Sequence, residues 1–175
     1  TKDLPESQFL YGEQAPEPLL VTENGVQFAT YLNEGLMTGI FLDQKEVRGR
    51  LVDGFAVGKT VLNMFSYTGA FSVAAAMGGA VATTSVDLAK RSLPKTTEQF
   101  EVNHLNLAAQ KIIVMDVFDY FKYASRKGSS YDMIILDPPS FARNKKKVFS
   151  VAKNYGELVK DSIDILTDKG TLIAS

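Results

Sequence analysis

Residues 131–141 read Tyr-Asp-Met-Ile-Ile-Leu-Asp-Pro-Pro-Ser-Phe, and the end of that stretch concentrates groups that can do chemistry. The apolar run Met133–Leu136 is short and bounded by turn residues, as suits a buried strand of a parallel sheet. Asp137 then falls at the carboxyl end of the strand, where open α/β sheets bind ligands. Pro138 keeps Asp137 out of the helical basin, and neither Pro138 nor Pro139 has an N–H to donate. The turn presents a carboxylate and bare carbonyl oxygens close to the ring of Phe141. Such a surface can hold a planar, hydrogen-bonding ring such as a nucleobase, so Asp137, Pro138 and Phe141 are the candidate catalytic residues.

A second constellation lies upstream. Asn63-Met-Phe-Ser-Tyr-Thr-Gly-Ala-Phe71 joins an apolar strand to an Ala-rich helix. A glycine in such a loop permits close backbone approach to a ligand, with free N–H groups at the helix start. Asn63, Phe65, Ser66, Tyr67, Thr68 and Gly69 are therefore candidate binding residues, the alternative being a tight turn with packing aromatics. The GxGxxG pattern that accommodates a pyrophosphate is absent, which disfavours NAD. Asp87 ends the next strand, 18 residues after Gly69, where an acid can accept hydrogen bonds from both ribose hydroxyls. Asp116 ends the third strand and can accept from an adenine exocyclic amine. Leu88 and Val117 follow these acids and complete the set. Each acid alone would also serve as a helix N-cap. Asp87, Asp116 and Asp137 at successive strand ends line one rim of one sheet, as an adenosine site requires.

The elements that must position these groups are legible in the pattern. From Lys59 onward strands and helices alternate: strands at 60–64, 81–86, 111–115 and 132–136, and helices at 69–77, within 89–106 and at 117–125. Tyr155, Leu158, Val159, Ser162, Ile163 and Leu166 mark one helix face, ended by Asp168-Lys169-Gly170, and Thr171–Ala174 begins a fifth strand. Repeated βα units imply a doubly wound, mostly parallel α/β sheet of Rossmann-like form, C-terminally truncated. Upstream, Leu19–Glu23 and Val26–Tyr31 flank Asn24-Gly25, a strong hairpin signal. Residues 1–34 read as a linker and a β-hairpin of a small accessory domain, or one packed on the main domain's edge, and 35–175 as the ligand-binding domain. Leu36–Leu42 reads as extended, and Asp43 can cap a helix over 44–53 that Gly54 ends.

Composition sets bounds. The 175 residues can bury one sizeable core, and 45% hydrophobic with 22% charged is ordinary for a globular domain. No apolar run approaches the ~20 residues of a membrane span, and the first residues do not form a signal peptide. A start on Thr1 suggests a fragment of a longer protein. The chain has no cysteine and one histidine, His104, which excludes disulfides, thiolate metal sites and multi-histidine sites and suits a cytoplasmic, reducing location. A net charge of −1 gives no global attraction to nucleic acid, so such affinity must be local.

The ordered motifs NMFSYTGAF, SVDLAKRS, VMDVFDYF and ILDPPSF resemble class I S-adenosylmethionine-dependent methyltransferases. Within them the chain resembles the bacterial large-subunit ribosomal RNA methyltransferases, particularly the cytosine-C5 branch. The segment Gly35-Leu-Met-Thr-Gly-Ile-Phe-Leu-Asp-Gln-Lys-Glu-Val-Arg48 is similar to the one that leads into that family's domain, so the likeness spans about 33–175. The resemblance implies S-adenosylmethionine as cofactor, S-adenosylhomocysteine as product and ribosomal RNA as partner. It implies that Tyr67, Thr68 and Gly69 contact the methionine and ribose, Asp87 the ribose and Asp116 the adenine amine. Asp137 would lie near the methyl group and target base. Asp43, Gln44 and Arg48 would close the site over the methionine end, although Arg48 equally suits a solvated helix surface.

Two chemistries could use the Asp137 turn. A nitrogen needs its amine held by the carboxylate and proline carbonyls. Cytosine C5 is not nucleophilic enough and needs a thiolate added at C6 first, with Asp137 hydrogen-bonding or protonating the ring at N3. The resemblance favours the carbon, with a nucleophilic cysteine expected just after the fifth strand, beyond Ser175. The chain alone is therefore expected to be inactive on cytosine C5. A small-molecule or protein N-methyltransferase, or a non-catalytic RNA- or cofactor-binding module, are the competing readings. Arg143-Asn-Lys-Lys-Lys147, beside the base pocket, reads as a solvated loop or a phosphate contact. Tyr155, His104 and the Phe118–Tyr123 aromatics read as packing or surface positions.

Overall fold

The computed structural model describes residues 11–34, 38–143 and 148–175. Gly35–Met37 of the lead-in segment and Asn144–Lys147 of the basic run lie outside the described residues. Strands β1 (Leu19–Glu23) and β2 (Val26–Thr30) pair antiparallel through Asn24-Gly25. Both turn residues are left-handed, φ 51° and 77°, the geometry that matches strand twist in a two-residue hairpin. A 3₁₀ turn (Leu42–Gln44), helix α1 (Lys45–Arg50) and a wide π-type turn (Leu51–Phe55) follow. The expected helix over 44–53 is thus a composite of three windings, and Asp43 lies inside the first of them rather than capping it.

The main sheet then begins. β3 (Thr60–Met64) leads to α2 (Ala70–Met77), β4 (Ala82–Asp87) to α3 (Ser92–Glu101), and β5 (Gln110–Val114) to α4 (Val117–Lys127). β6 (Tyr131–Leu136) runs into a small hairpin, β7 (Phe141–Arg143) with β8 (Val148–Ser150), before α5 (Val151–Asp164) and β9 (Leu166–Ala174). The five strands lie in the order β5-β4-β3-β6-β9, every pair parallel. The order reverses between β3 and β6, so a crevice opens at their carboxyl ends.

Strand alternation divides the core. Leu62, Met64, Ile134 and Leu136 bury with α4 and α5 residues such as Phe121 and Leu158. Val61, Met133 and Ile135 face Phe71, Ala74 and Ala75 of α2. Runs apolar on both faces are what a sheet covered on both sides demands. At the amino ends of the strands, the Asp132 carboxylate accepts from Thr60 N (2.9 Å), Thr60 Oγ1 (2.8 Å) and Thr167 Oγ1 (3.2 Å), clamping β3, β6 and β9.

The β1–β2 hairpin packs on the α2–α3 face, where Val26 and Phe28 bury against Val73 and Phe100. Its β2 edge is covered by two side-chain amides of α3 and the turn that follows it. Gln99 Nε2 donates to Ala29 O (2.8 Å) while its Oε1 accepts from Ala29 N (2.9 Å). Asn103 treats Gln27 likewise, at 2.7 and 3.0 Å. The amides stand in for a missing strand and satisfy an otherwise open edge.

The end of the chain differs from its sequence expectation. The helix stops at Asp164 and Ile165 turns inward, buried, so that Leu166 opens β9 and Ile163 is exposed. Asp168-Lys169-Gly170 does not end a helix. It is absorbed within β9, where the pairing with β6 shifts register between Tyr131 and Met133. No helix among the described residues is long and apolar enough to cross a membrane.

Candidate active site

A cavity of about 890 Å³ occupies the crevice at the carboxyl ends of β3, β4 and β6, with α1, α4 and α5 contributing walls. Its floor is the β3–α2 loop. Phe65, Tyr67 and Gly69 take φ of 57°, 50° and 79°, three left-handed residues within five, and such strain in non-glycine residues persists where surrounding structure enforces it. Several bonds enforce it here. Ser66 N donates to Val86 O (3.0 Å) and Gly69 N to Ser66 O (2.7 Å). Thr68 Oγ1 donates to Gly39 O (2.5 Å), and Gly39 N donates to the Tyr67 hydroxyl (3.0 Å). Burial pushes the Tyr67 hydroxyl above its usual pKa, opposed in part by that Gly39 bond and by Arg91, so it stays a neutral hydroxyl at physiological pH. Gly69 is required twice over, by its left-handed φ and because an added methyl would lie 2.5 Å from Thr96 Cγ2.

The acids sit where strand ends place them. Asp87 closes β4, its Oδ2 accepting from Tyr67 N (2.9 Å) and its Oδ1 from Ala89 N (2.8 Å). Both oxygens keep lone pairs for a ligand. Asp116 caps α4, accepting from Phe118 N (3.1 Å) and Asp119 N (3.4 Å), and lines the cavity as well. The cap and the site are the same residue. Asp137, half-buried at the end of β6, accepts from Ser175 Oγ (2.5 Å). Asp43, Gln44, Arg48, Phe65, Ser66, Tyr67, Thr68, Leu88, Val117 and Pro138 line the same space.

Arg48 is no solvated surface arginine. It is 2% exposed, with Nε and Nη2 donating to the Glu23 carboxylate at 2.7 and 2.9 Å.

Three sequence candidates lie outside the cavity wall. Asn63 is fully buried on the α2 side of β3, where its Nδ2 donates to Ser72 Oγ (3.0 Å), itself 2.7 Å from Ser85 Oγ. The strand's alternation turns it beneath the loop, so it joins β3, β4 and α2. Gly69 belongs to the floor loop, bonded to Ser66 O, without lining the cavity itself. Phe141 starts β7 and is 60% exposed, because the β7–β8 hairpin carries it away from the pocket.

Other wall residues carry no sequence signal. Lys122, Asn154 and Glu157 enter from α4 and α5. Phe149, packed 5.5 Å from Phe65 and 6.2 Å from Phe118, arrives through the unforeseen hairpin. Phe41, 51% exposed, stands 5.5 Å from Tyr67 at the rim.

Acid acceptors at adjoining strand ends, flat apolar flanks at Leu88, Val117 and Phe118, and a strained loop beneath them fit a nucleoside with a polar tail. The family described as S-adenosylmethionine-dependent methyltransferase matches residues 4–175. A Bacillus subtilis (strain 168) protein, "Putative ribosomal RNA large subunit methyltransferase YwbD", is 59% identical over 170 residues, 97% of this chain and 43% of that protein. A ribosomal RNA large subunit methyltransferase of Deinococcus radiodurans is 37% identical over 172 residues, 98% of this chain and 42% of that protein. The crystal structure of SMU.776 complexed with SAH superposes with a TM-score of 0.91 at 62% identity, covering 94% of this chain and 43% of that one.

The chain belongs to the S-adenosylmethionine-dependent methyltransferases. It spans less than half the length of these relatives.

Proposed function

We propose that this chain is the cofactor-binding part of a methyltransferase acting on a base of large-subunit ribosomal RNA, with cytosine C5 as the methylated atom. The observation that carries the reading is that Asp137 and Pro138 share one cavity with Asp87 and Asp116. Base-holding and adenosine-holding groups then open onto one continuous space, in which a cofactor and a base can meet.

In this reading Asp87 accepts from the ribose hydroxyls and Asp116 from the adenine amine. Tyr67, Thr68 and Gly69 shape the space at the ribose and methionine, and Asp43, Gln44 and Arg48 hold the methionine end. The bound cofactor supplies an electrophilic methyl on a sulfonium. Transfer needs in-line geometry more than acid–base power, and positioning is the main contribution of these residues. Asp137 and the bare carbonyls of Pro138 and Pro139 orient the base, with Asp137 in its protonated form donating to the ring N3 or protonating it. Carbon methylation further requires a thiolate that adds at C6 and is expelled again when, after methyl transfer, the C5 proton leaves to a base. These 175 residues contain no cysteine, so that thiol has to come from sequence outside them. The relatives named as ribosomal RNA methyltransferases support the substrate class.

Nitrogen methylation is the second reading, favoured by the same Asp-Pro-Pro turn, which can hold an amine without any thiol. Mass spectrometry of ribosomal RNA nucleosides from a strain lacking the corresponding gene decides between them. Loss of one 5-methylcytidine from the large subunit is the expected result. Loss of an N-methylated nucleoside selects nitrogen, and an unchanged nucleoside profile overturns the ribosomal RNA reading.

A further inference from the structure

The hairpin turn docks directly on the helix that walls the cavity. Asn24 Nδ2 donates to Lys45 O (3.1 Å) at the start of α1, and Glu23 takes two nitrogens of Arg48 near its end. Arg48 is further held with its guanidinium carbon 5.9 Å from the ring centroids of both Phe28 and Phe71. Among the described residues, its third nitrogen, Nη1, has no hydrogen-bond partner, while Arg48 itself lines the cavity. A guanidinium presents its donors in a rigid plane, so fixing Nε and Nη2 fixes where the remaining edge can donate. Glu23 also offsets the charge of Arg48, leaving the cavity an oriented donor rather than a free cation.

We propose that Glu23, a hairpin residue outside the cavity wall, is a positioning residue for the cofactor's amino-acid carboxylate and acts through Arg48. The inference rests on the cofactor reading above. It makes one side chain of the β1–β2 hairpin part of the binding apparatus, acting on the amino-acid end of the ligand and not on its adenosine end.

Titration calorimetry of this chain with two ligands tests it. S-adenosylhomocysteine carries the carboxylate, whereas 5′-methylthioadenosine keeps the adenosine and sulfur but lacks the amino acid. Glu23→Gln is expected to raise the Kd for S-adenosylhomocysteine by about tenfold, the worth of one charge-assisted hydrogen bond. The Kd for 5′-methylthioadenosine should stay within about twofold, well under one hydrogen bond. Val26→Ala is the packing control. It loosens the same hairpin without touching Arg48 and should weaken both ligands in equal proportion, if at all. Should Glu23→Gln fail to fold, Glu23→Asp carries the test, because it keeps the charge and moves the carboxylate by one methylene. Equal weakening of both ligands, or tighter binding of S-adenosylhomocysteine, overturns the proposal. A wild-type chain that binds neither ligand refutes the cofactor reading itself, a result distinguishable from the failure of Glu23 alone.

Discussion

Phe65 and Tyr67 hold left-handed backbone that side chains of their type rarely adopt, at a cost of about 1 kcal/mol or more each. The strain brings the N–H of Tyr67 onto Asp87 and the Tyr67 hydroxyl onto Gly39, so the loop, the acid and the α1 lead-in become one rigid unit. Gly69 completes it. Gly69→Ala is expected to cost about 2 kcal/mol, lowering the Tm by roughly 4–8 °C for a domain of this size. Two causes add: the backbone penalty, and the clash with Thr96 Cγ2. Thr96→Ser removes the second cause and not the first, so the double variant should recover part of the loss in thermal denaturation. Full recovery, or none, would show that only one cause operates. Asp87, Asp116 and Asp137 were legible in the sequence because an acid after a short apolar run must end up at a strand's end. Asn63 was not. Phe65 to Thr68 of the motif line the cavity, but strand alternation turns the Asn63 side chain into the core toward Ser72.

At the scale of elements, polar side chains complete what the backbone leaves open. Gln99→Leu would strip both hydrogen bonds from Ala29 and leave a buried N–H and C=O unsatisfied, for a loss of about 2–4 kcal/mol. Urea denaturation should register that loss, with accelerated hydrogen exchange at the Ala29 amide. At the far rim, donation from the Thr60 amide and hydroxyl holds the Asp132 carboxyl below the usual carboxylate range. A depressed carboxylate stabilises the fold above its unfolded pKa, and the contribution is lost as pH falls through the folded value. The stability gap between wild type and Asp132→Asn should therefore be constant from about pH 7 to 5 and close below about pH 4. A gap that persists unchanged to about pH 2 would contradict it. The alternation of strands and helices made the sheet readable in advance. The β7–β8 hairpin was hidden, because the basic segment between its strands breaks any period-two pattern. Phe149, Asn154 and Glu157 reach the cavity only through it and the helix that follows, so they were hidden too.

For the whole molecule, the strand order decides where binding can occur. Reversal between β3 and β6 opens the sheet at one place, and β4, α1, α4 and α5 close around it. The β1–β2 hairpin grips both α3, through Gln99, and α1, through Glu23. Elements distant in sequence thus share one cavity. The strand-end acids foretold that sharing, and the family resemblance added Arg48, but nothing in the local pattern of the hairpin placed Glu23 beside it. That Asp87 and Asp116 hold the two ends of an adenosine is the central claim about how this chain binds its cofactor. Calorimetric titration with S-adenosylhomocysteine tests it most directly. Binding by the wild-type chain, weakened about 10–100-fold by Asp87→Ala and by Asp116→Ala and not displaced by NAD, is the predicted result. Alanine variants that bind as tightly as wild type, or displacement by NAD, would contradict it.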